Sequence, residues 1–130
     1  MAEGYPVAVV GAGPTGLAAA AELELRGLPA LVLEKGDRPG AAVREWGHVR
    51  LFSSWRDLVS PAAEKLLAGR GWTRPDGGAY PTGAEWAQEY LEPLAAALGE
   101  RVRFGAEVVG VSRRGRDRVA DAGRTEEPFT

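Results

Sequence analysis

The sequence contains no cysteine, one histidine and one methionine. Without thiols the chain has no disulfide, no thiolate metal site, no cysteine nucleophile and no redox-active CxxC pair. Redox chemistry in such a chain has to come from a bound cofactor. The one imidazole, His48, builds neither a histidine-rich metal site nor a Ser-His-Asp triad with a choice of bases, and it reads as a surface or structural residue. The formal net charge is only -2 and the arginines are scattered, so no basic stripe marks a nucleic-acid partner. The apolar run from Val7 to Val10 is too short for a signal peptide or a membrane span, and no basic segment precedes it. The expectation is a cytoplasmic chain with no membrane partner. A hydrophobic content of 45% over 130 residues suits about one folded domain.

What is present is a succession of short β-branched runs, glycine turns and helix formers. YPVAVV, from Tyr5, reads as a strand buried on both faces that stops at Gly11. From Pro14 to Arg26 strong helix formers dominate, and Gly27 stands where a helix C-terminal glycine belongs. ALVLE, Ala30 to Glu34, is a second strand closed by the GDRPG loop. This is a βαβ unit over residues 5–34. From Ala41 to Ser60 there is no clean period, and an ordered but irregular excursion is expected, with Trp46, Phe52 and Trp55 serving as local core. Ser60 and Pro61 open a helix that runs to about Gly69. The stretch from Arg70 to Pro81 reads as a loop. Thr82 and Glu85 form a capping box for a helix ending at Gly99, bent by Pro93. Arg101 to Phe104 and Ala106 to Arg114 read as strands split by Gly105, with a turn near Gly115.

Chemistry concentrates at the first turn. Gly11, Gly13 and Gly16 form GAGPTG, a G-x-G-x-x-G placed between a strand and a helix. Gly11 permits the tight exit from the strand, Gly13 lets backbone approach a pyrophosphate, and Gly16 allows helix to pack closely on strand. Phosphates would meet free N–H groups and the positive end of the helix dipole. Glu34, about twenty residues on, is placed to accept hydrogen bonds from the hydroxyls of an adenosine ribose. A carboxylate there also opposes a 2′-phosphate, so an unphosphorylated ribose is favoured. Lys35 lies beside that ribose position and has both a solvated and a ligand-facing reading. Arg44 and Arg50 read as surface arginines.

The GAGPTG turn with Glu34 and Lys35, the segment Pro81 to Ala95 and the run RVRFGAEVVGV together resemble the N-terminal FAD-binding region of flavin-containing monooxygenase-like oxidoreductases. Tyr80, Pro81 and Thr82 match that family's entry into the helix before its third parallel strand. The resemblance implies an α/β fold: a Rossmann-like parallel three-stranded sheet in the order 3-2-1, with flanking helices and the start of a β-meander. It implies FAD as cofactor and NADPH or NADH as co-substrate of the full-length protein. Gly11, Gly13, Pro14, Thr15 and Gly16 would contact the pyrophosphate, Glu34 the ribose, and the backbone near Val108 the adenine edge. The family's double glycine and nearby tryptophan are represented here only by Pro39, Gly40 and the more distant Trp46. No second glycine motif for NADPH follows, and no Ala-Thr-Gly closing strand. The resemblance therefore implies a partial FAD-binding domain over 1–130, incomplete at its C-terminal side, a parent that is an enzyme, and a fragment inactive alone. Two alternatives stay open on the sequence: an NAD-binding Rossmann domain of a dehydrogenase, and a non-catalytic truncated nucleotide-binding module. An uncovered apolar edge on the first strand is expected, with a marginal or aggregation-prone chain as its consequence.

Overall fold

Val7–Val10 forms β1, four β-branched or small residues ended at Gly11, whose φ of 98° is a left-handed turn open to glycine. A computed structural model describes residues 6–113 of the chain. Pro14–Leu25 follows as α1, with Pro14 in the first turn, where a missing N–H costs nothing. It ends against Gly27 at φ 71°. Ala30–Leu33 is β2, paired in parallel with β1 from Val7 opposite Ala30 to Val10 opposite Leu33. The βαβ unit thus matches the sequence reading from Pro6 onward; Tyr5 lies outside the described residues.

Three helical pieces interrupt the next stretch: Ala41–Glu45 (α2), Trp55–Leu58 (α3) and Pro61–Ala68 (α4). The Ser60 hydroxyl accepts the Ala63 N–H at 3.1 Å and caps α4. Gly83–Trp86 is α5, capped by the Thr82 hydroxyl, which accepts the Glu85 N–H at 3.1 Å. One π turn, Ala87–Leu91, leads into Glu92–Leu98 (α6). The single bent helix expected over this stretch is therefore broken by a wider turn just ahead of Pro93, which cannot donate to the preceding carbonyls. Val102–Arg103 is β3, parallel to β2. The sheet order β1-β2-β3 is the expected 3-2-1 read from the other side.

Helix α1 packs on β1 and β2, and α4 and α6 pack against α1. One apolar cluster results, centred on Leu17, Val32, Leu67, Leu91, Leu94 and Tyr90. Each such leucine contributes about 1.5–3 kcal/mol by leaving water.

Three expectations need correction. First, β1 is not buried on both faces: Val7 is 45% and Val10 62% exposed, because among the described residues β1 has a strand neighbour on one side only. Second, the third strand has two residues rather than four, since it meets β2 only at Val32 and Leu33. Third, residues 106–112 form no strand despite their apolar pattern, and Val109 is 93% exposed; no strand among the described residues pairs with them, and Arg114 and the turn near Gly115 lie outside the described residues. The excursion is ordered, as expected, by backbone bonds to the segment around residues 79–83: Leu51 N–H to Pro81 O, Gly83 N–H to Val49 O and Trp55 N–H to Ala79 O, each 2.9 Å. Two stretches without period satisfy each other's backbone groups.

Candidate functional site

The carboxyl ends of β1 and β2 open into a cleft of about 680 Å³. It is lined by Gly11 and Gly13 from the first turn, by Glu34, Lys35 and Gly36 after β2, by Ala41 and Glu45 of α2, and by Val108 from the segment after β3. That last segment is carried across the end of β2 by two backbone bonds, Gly105 N–H to Gly36 O and Ala106 N–H to Glu34 O, both 2.9 Å. Ligands of open parallel sheets bind outside the carboxyl ends of the strands, which is where this cleft lies.

The glycines divide their work as the motif requires. A Cβ on Gly16 would sit 2.0 Å from the Gly11 carbonyl oxygen, so only hydrogen fits where α1 leans on β1. A Cβ on Gly13 would meet nothing within 4 Å and would project into open space, the space a ligand would use. Gly13 is also the residue before the first turn of α1, and no side chain caps that helix, in contrast to α4 and α5. The opening N–H groups of α1 therefore have no side-chain acceptor.

Glu34 is 8% exposed. Its Oε1 accepts the Ala12 N–H at 2.8 Å and its Oε2 accepts the Gly36 N–H at 2.7 Å. The carboxylate therefore joins the loops that leave β1 and β2. Further support comes from the Gly40 N–H, which donates to the Ala12 carbonyl at 2.9 Å. Lys35 is exposed at the rim.

Of the residues singled out from sequence, the fold gathers Gly11, Gly13, Glu34, Lys35 and Val108 around one cleft. Pro14 and Thr15 line a neighbouring depression of about 470 Å³ with Arg56, Asp57, Ser60 and Tyr90. Gly16 lines neither and acts through packing. Ala12, Ala41, Glu45 and Glu107 escaped the sequence reading. Ala12 acts through its main chain, which carries no side-chain signal; Glu45 comes from the stretch without a period, and Glu107 from a run that reads as a strand rather than as the wall of a cleft. Arg50 is exposed, as a surface arginine, and donates to the Tyr80 carbonyl; Arg44 is instead partly buried, its Nε donating to the Pro39 carbonyl at 3.1 Å and its guanidinium facing Glu92. Trp55 and the partly buried Trp46 belong to the core as expected, but Phe52 is 99% exposed. His48 is exposed, and no cluster of metal-binding side chains occurs among the described residues.

The family of NAD(P)-binding Rossmann-like domains matches residues 9–57, which hold the turn, α1, β2 and α2. An indole-3-pyruvate monooxygenase, YUCCA1, from Oryza sativa subsp. japonica is 38% identical over 106 residues, covering 77% of this chain and 23% of that protein. A rifampicin monooxygenase from Streptomyces venezuelae is 36% identical over 129 residues, covering 82% of this chain and 26% of that protein. Among solved structures, a flavin monooxygenase from Stenotrophomonas maltophilia superposes with a TM-score of 0.65 at 29% identity, over 85% of this chain and 31% of that one. A steroid monooxygenase bound to NADP superposes at 0.58 with 27% identity, over 78% of this chain and 19% of that one. The chain spans about a quarter of the length of the curated relatives it matches. In sequence and in fold alike, this chain is a Rossmann-like unit similar to the N-terminal parts of flavin-dependent monooxygenase-like oxidoreductases.

Proposed function

We propose that the chain binds FAD, with the adenosine diphosphate half in the cleft at the ends of β1 and β2, and forms the FAD-binding portion of an NAD(P)H-dependent flavin monooxygenase. The observation that carries this reading is the pairing of an uncapped α1 with an open Gly13 on one wall and buried Glu34 on the other. Phosphates would lie against the first turn of α1, and the ribose would face the Glu34 end of β2. The open space at Gly13 and the absence of a side-chain cap fit a pyrophosphate there. The segment around Val108 lines the cleft where an adenine would rest.

When bound, a flavin supplies the hydride and oxygen chemistry itself. The residues of this chain bind and orient the cofactor; none is assigned a catalytic role. The full enzyme's turnover and its substrate belong to the same proposal, resting on relatives of which this chain covers only a part. Purification in the presence of FAD tests it: a retained yellow chromophore, displaced by ADP, is expected. Loss of all flavin, both from this chain and from a version extended beyond Thr130, contradicts it.

The match to the NAD(P)-binding family supports a second reading, with NAD in the same cleft and Glu34 on its ribose. Saturable quenching of NADH by the chain, with FAD failing to compete, would select NAD.

A further inference from the structure

Glu34 is a buried carboxylate whose two oxygens already have partners inside the protein. Both partners are backbone N–H groups at charge-assisted distances, 2.8 Å to Ala12 and 2.7 Å to Gly36. Ala12 lies between the first two glycines of the turn, and Gly36 begins the loop that leads to α2. The main chain of Glu34 is fixed as well, its N–H donating to Arg103 O and its carbonyl accepting from Ala106, both at 2.9 Å. One residue thus ties together the turn after β1, the loop after β2, β3 and the segment that crosses the cleft.

We propose that Glu34 is a positioning residue for the phosphate-binding turn: its carboxylate holds the Ala12 and Gly36 amides so that the turn is formed before any nucleotide arrives. The proposal rests on the cleft being an adenine-nucleotide site and adds a second role to the expected ribose contact. A residue that only grips the ribose matters only to ligands that carry ribose hydroxyls. A residue that shapes the turn matters to every ligand whose phosphates lie on it, because the cost of ordering the loop falls on binding once the clamp is lost. The amide of a glutamine cannot replace the carboxylate, since its NH2 would face one of the two N–H donors and leave that group unsatisfied.

The test compares ADP with 2′,3′-dideoxy-ADP on the wild-type chain and on Glu34→Gln, together with amide hydrogen exchange of the ligand-free proteins. The expected result is that Glu34→Gln weakens dideoxy-ADP about tenfold, the share of the clamp, and weakens ADP by at least that factor, since ADP also loses its ribose contact. In the ligand-free variant, exchange at Ala12 and Gly36 should rise by about the same factor, while Val32 in the sheet stays protected. The proposal is overturned if the variant binds dideoxy-ADP as tightly as wild type does and loses affinity only for ADP. It is also overturned if Ala12 and Gly36 exchange in the wild-type chain as fast as an unstructured peptide. That second measurement needs neither a folded variant nor a bound nucleotide. It therefore separates failure of the clamp from failure of the nucleotide-site reading, which would show as no binding of either nucleotide.

Discussion

The indole N–H of Trp72 donates to the main-chain carbonyl of Glu89 at 2.9 Å. Glu89 stands four residues before Pro93, so its carbonyl is the one that Pro93, lacking an N–H, cannot serve in a regular helix. The π turn Ala87–Leu91 occurs at the same place. Trp72 comes from the loop after α4 and also packs its ring on Tyr90, with centroids 6.0 Å apart. A proline-induced defect is thus met by a side chain from another part of the chain.

Replacing Trp72 by Phe keeps an aromatic ring and removes the donor. A loss of about 1 kcal/mol is expected by urea unfolding. In a Pro93→Ala background, where a backbone N–H becomes available to Glu89, the same change should cost less. A double-mutant cycle with coupling near zero would show that the two residues act separately.

Tyr90 gives the fold an alkaline limit. Burial raises its phenol above the ordinary value of 10.0, with the neighbouring Glu64 charge acting in the same direction and hydrogen bonds to Ser60 partly opposing. Its hydroxyl oxygen accepts the Ser60 N–H at 3.3 Å. Below pH 10.0 the phenol is protonated in both states and its contribution is complete. Above that, the unfolded chain releases the proton first, the native state holds more protons, and stability falls until the pH passes the raised folded value. Unfolding midpoints measured across this range should decline in wild type and decline less in Tyr90→Phe. Equal declines would remove Tyr90 as the cause.

Gly13 and Gly16 should separate binding from stability. Gly16→Ala forces a Cβ against the Gly11 carbonyl and should cost about 1–3 kcal/mol. Gly13→Ala meets no neighbour and should change stability by less than about 1 kcal/mol while weakening nucleotide binding about tenfold or more. Thermal melts and nucleotide titrations on the same two variants decide the matter. A strongly destabilised Gly13→Ala would contradict the division.

The open edge of β1, with its exposed valines, should govern self-association. Val7→Lys and Val10→Lys place charges on a strand that has one neighbour among the described residues. Both should reduce aggregation, read by light scattering, without lowering the melting temperature. Unchanged scattering would place the association elsewhere.

The unit from β1 to Glu34 was legible because each boundary carried its own signal: β-branched runs for the strands, a glycine motif for the turn, a proline opening α1 and Gly27 closing it. Glu34 was legible as the acid that ends the second strand, but its bonds across the two loops were not, because the groups it holds are main-chain amides of Ala12 and Gly36. The run 106–112 has a strand's composition and forms none, since no described strand lies alongside to pair with it and a neighbour is not announced by a run's own residues. Pro93 foretold a disturbance in its helix, while the π turn and the Trp72 donor depended on tertiary packing. Phe52 was expected in the core with Trp46 and Trp55, yet nothing in its local sequence distinguished the exposed aromatic from the buried ones.

The central claim is an adenine-dinucleotide site built from Gly13 and the clamped Glu34, with FAD as its ligand. Its most direct test is a fluorescence titration of FAD with the full chain, repeated in the presence of ADP and with Gly13→Ala. Saturable binding that ADP displaces and Gly13→Ala weakens about tenfold is the predicted result. Binding of FAD that ADP leaves untouched, or saturable NADH binding with no FAD binding at all, would contradict it.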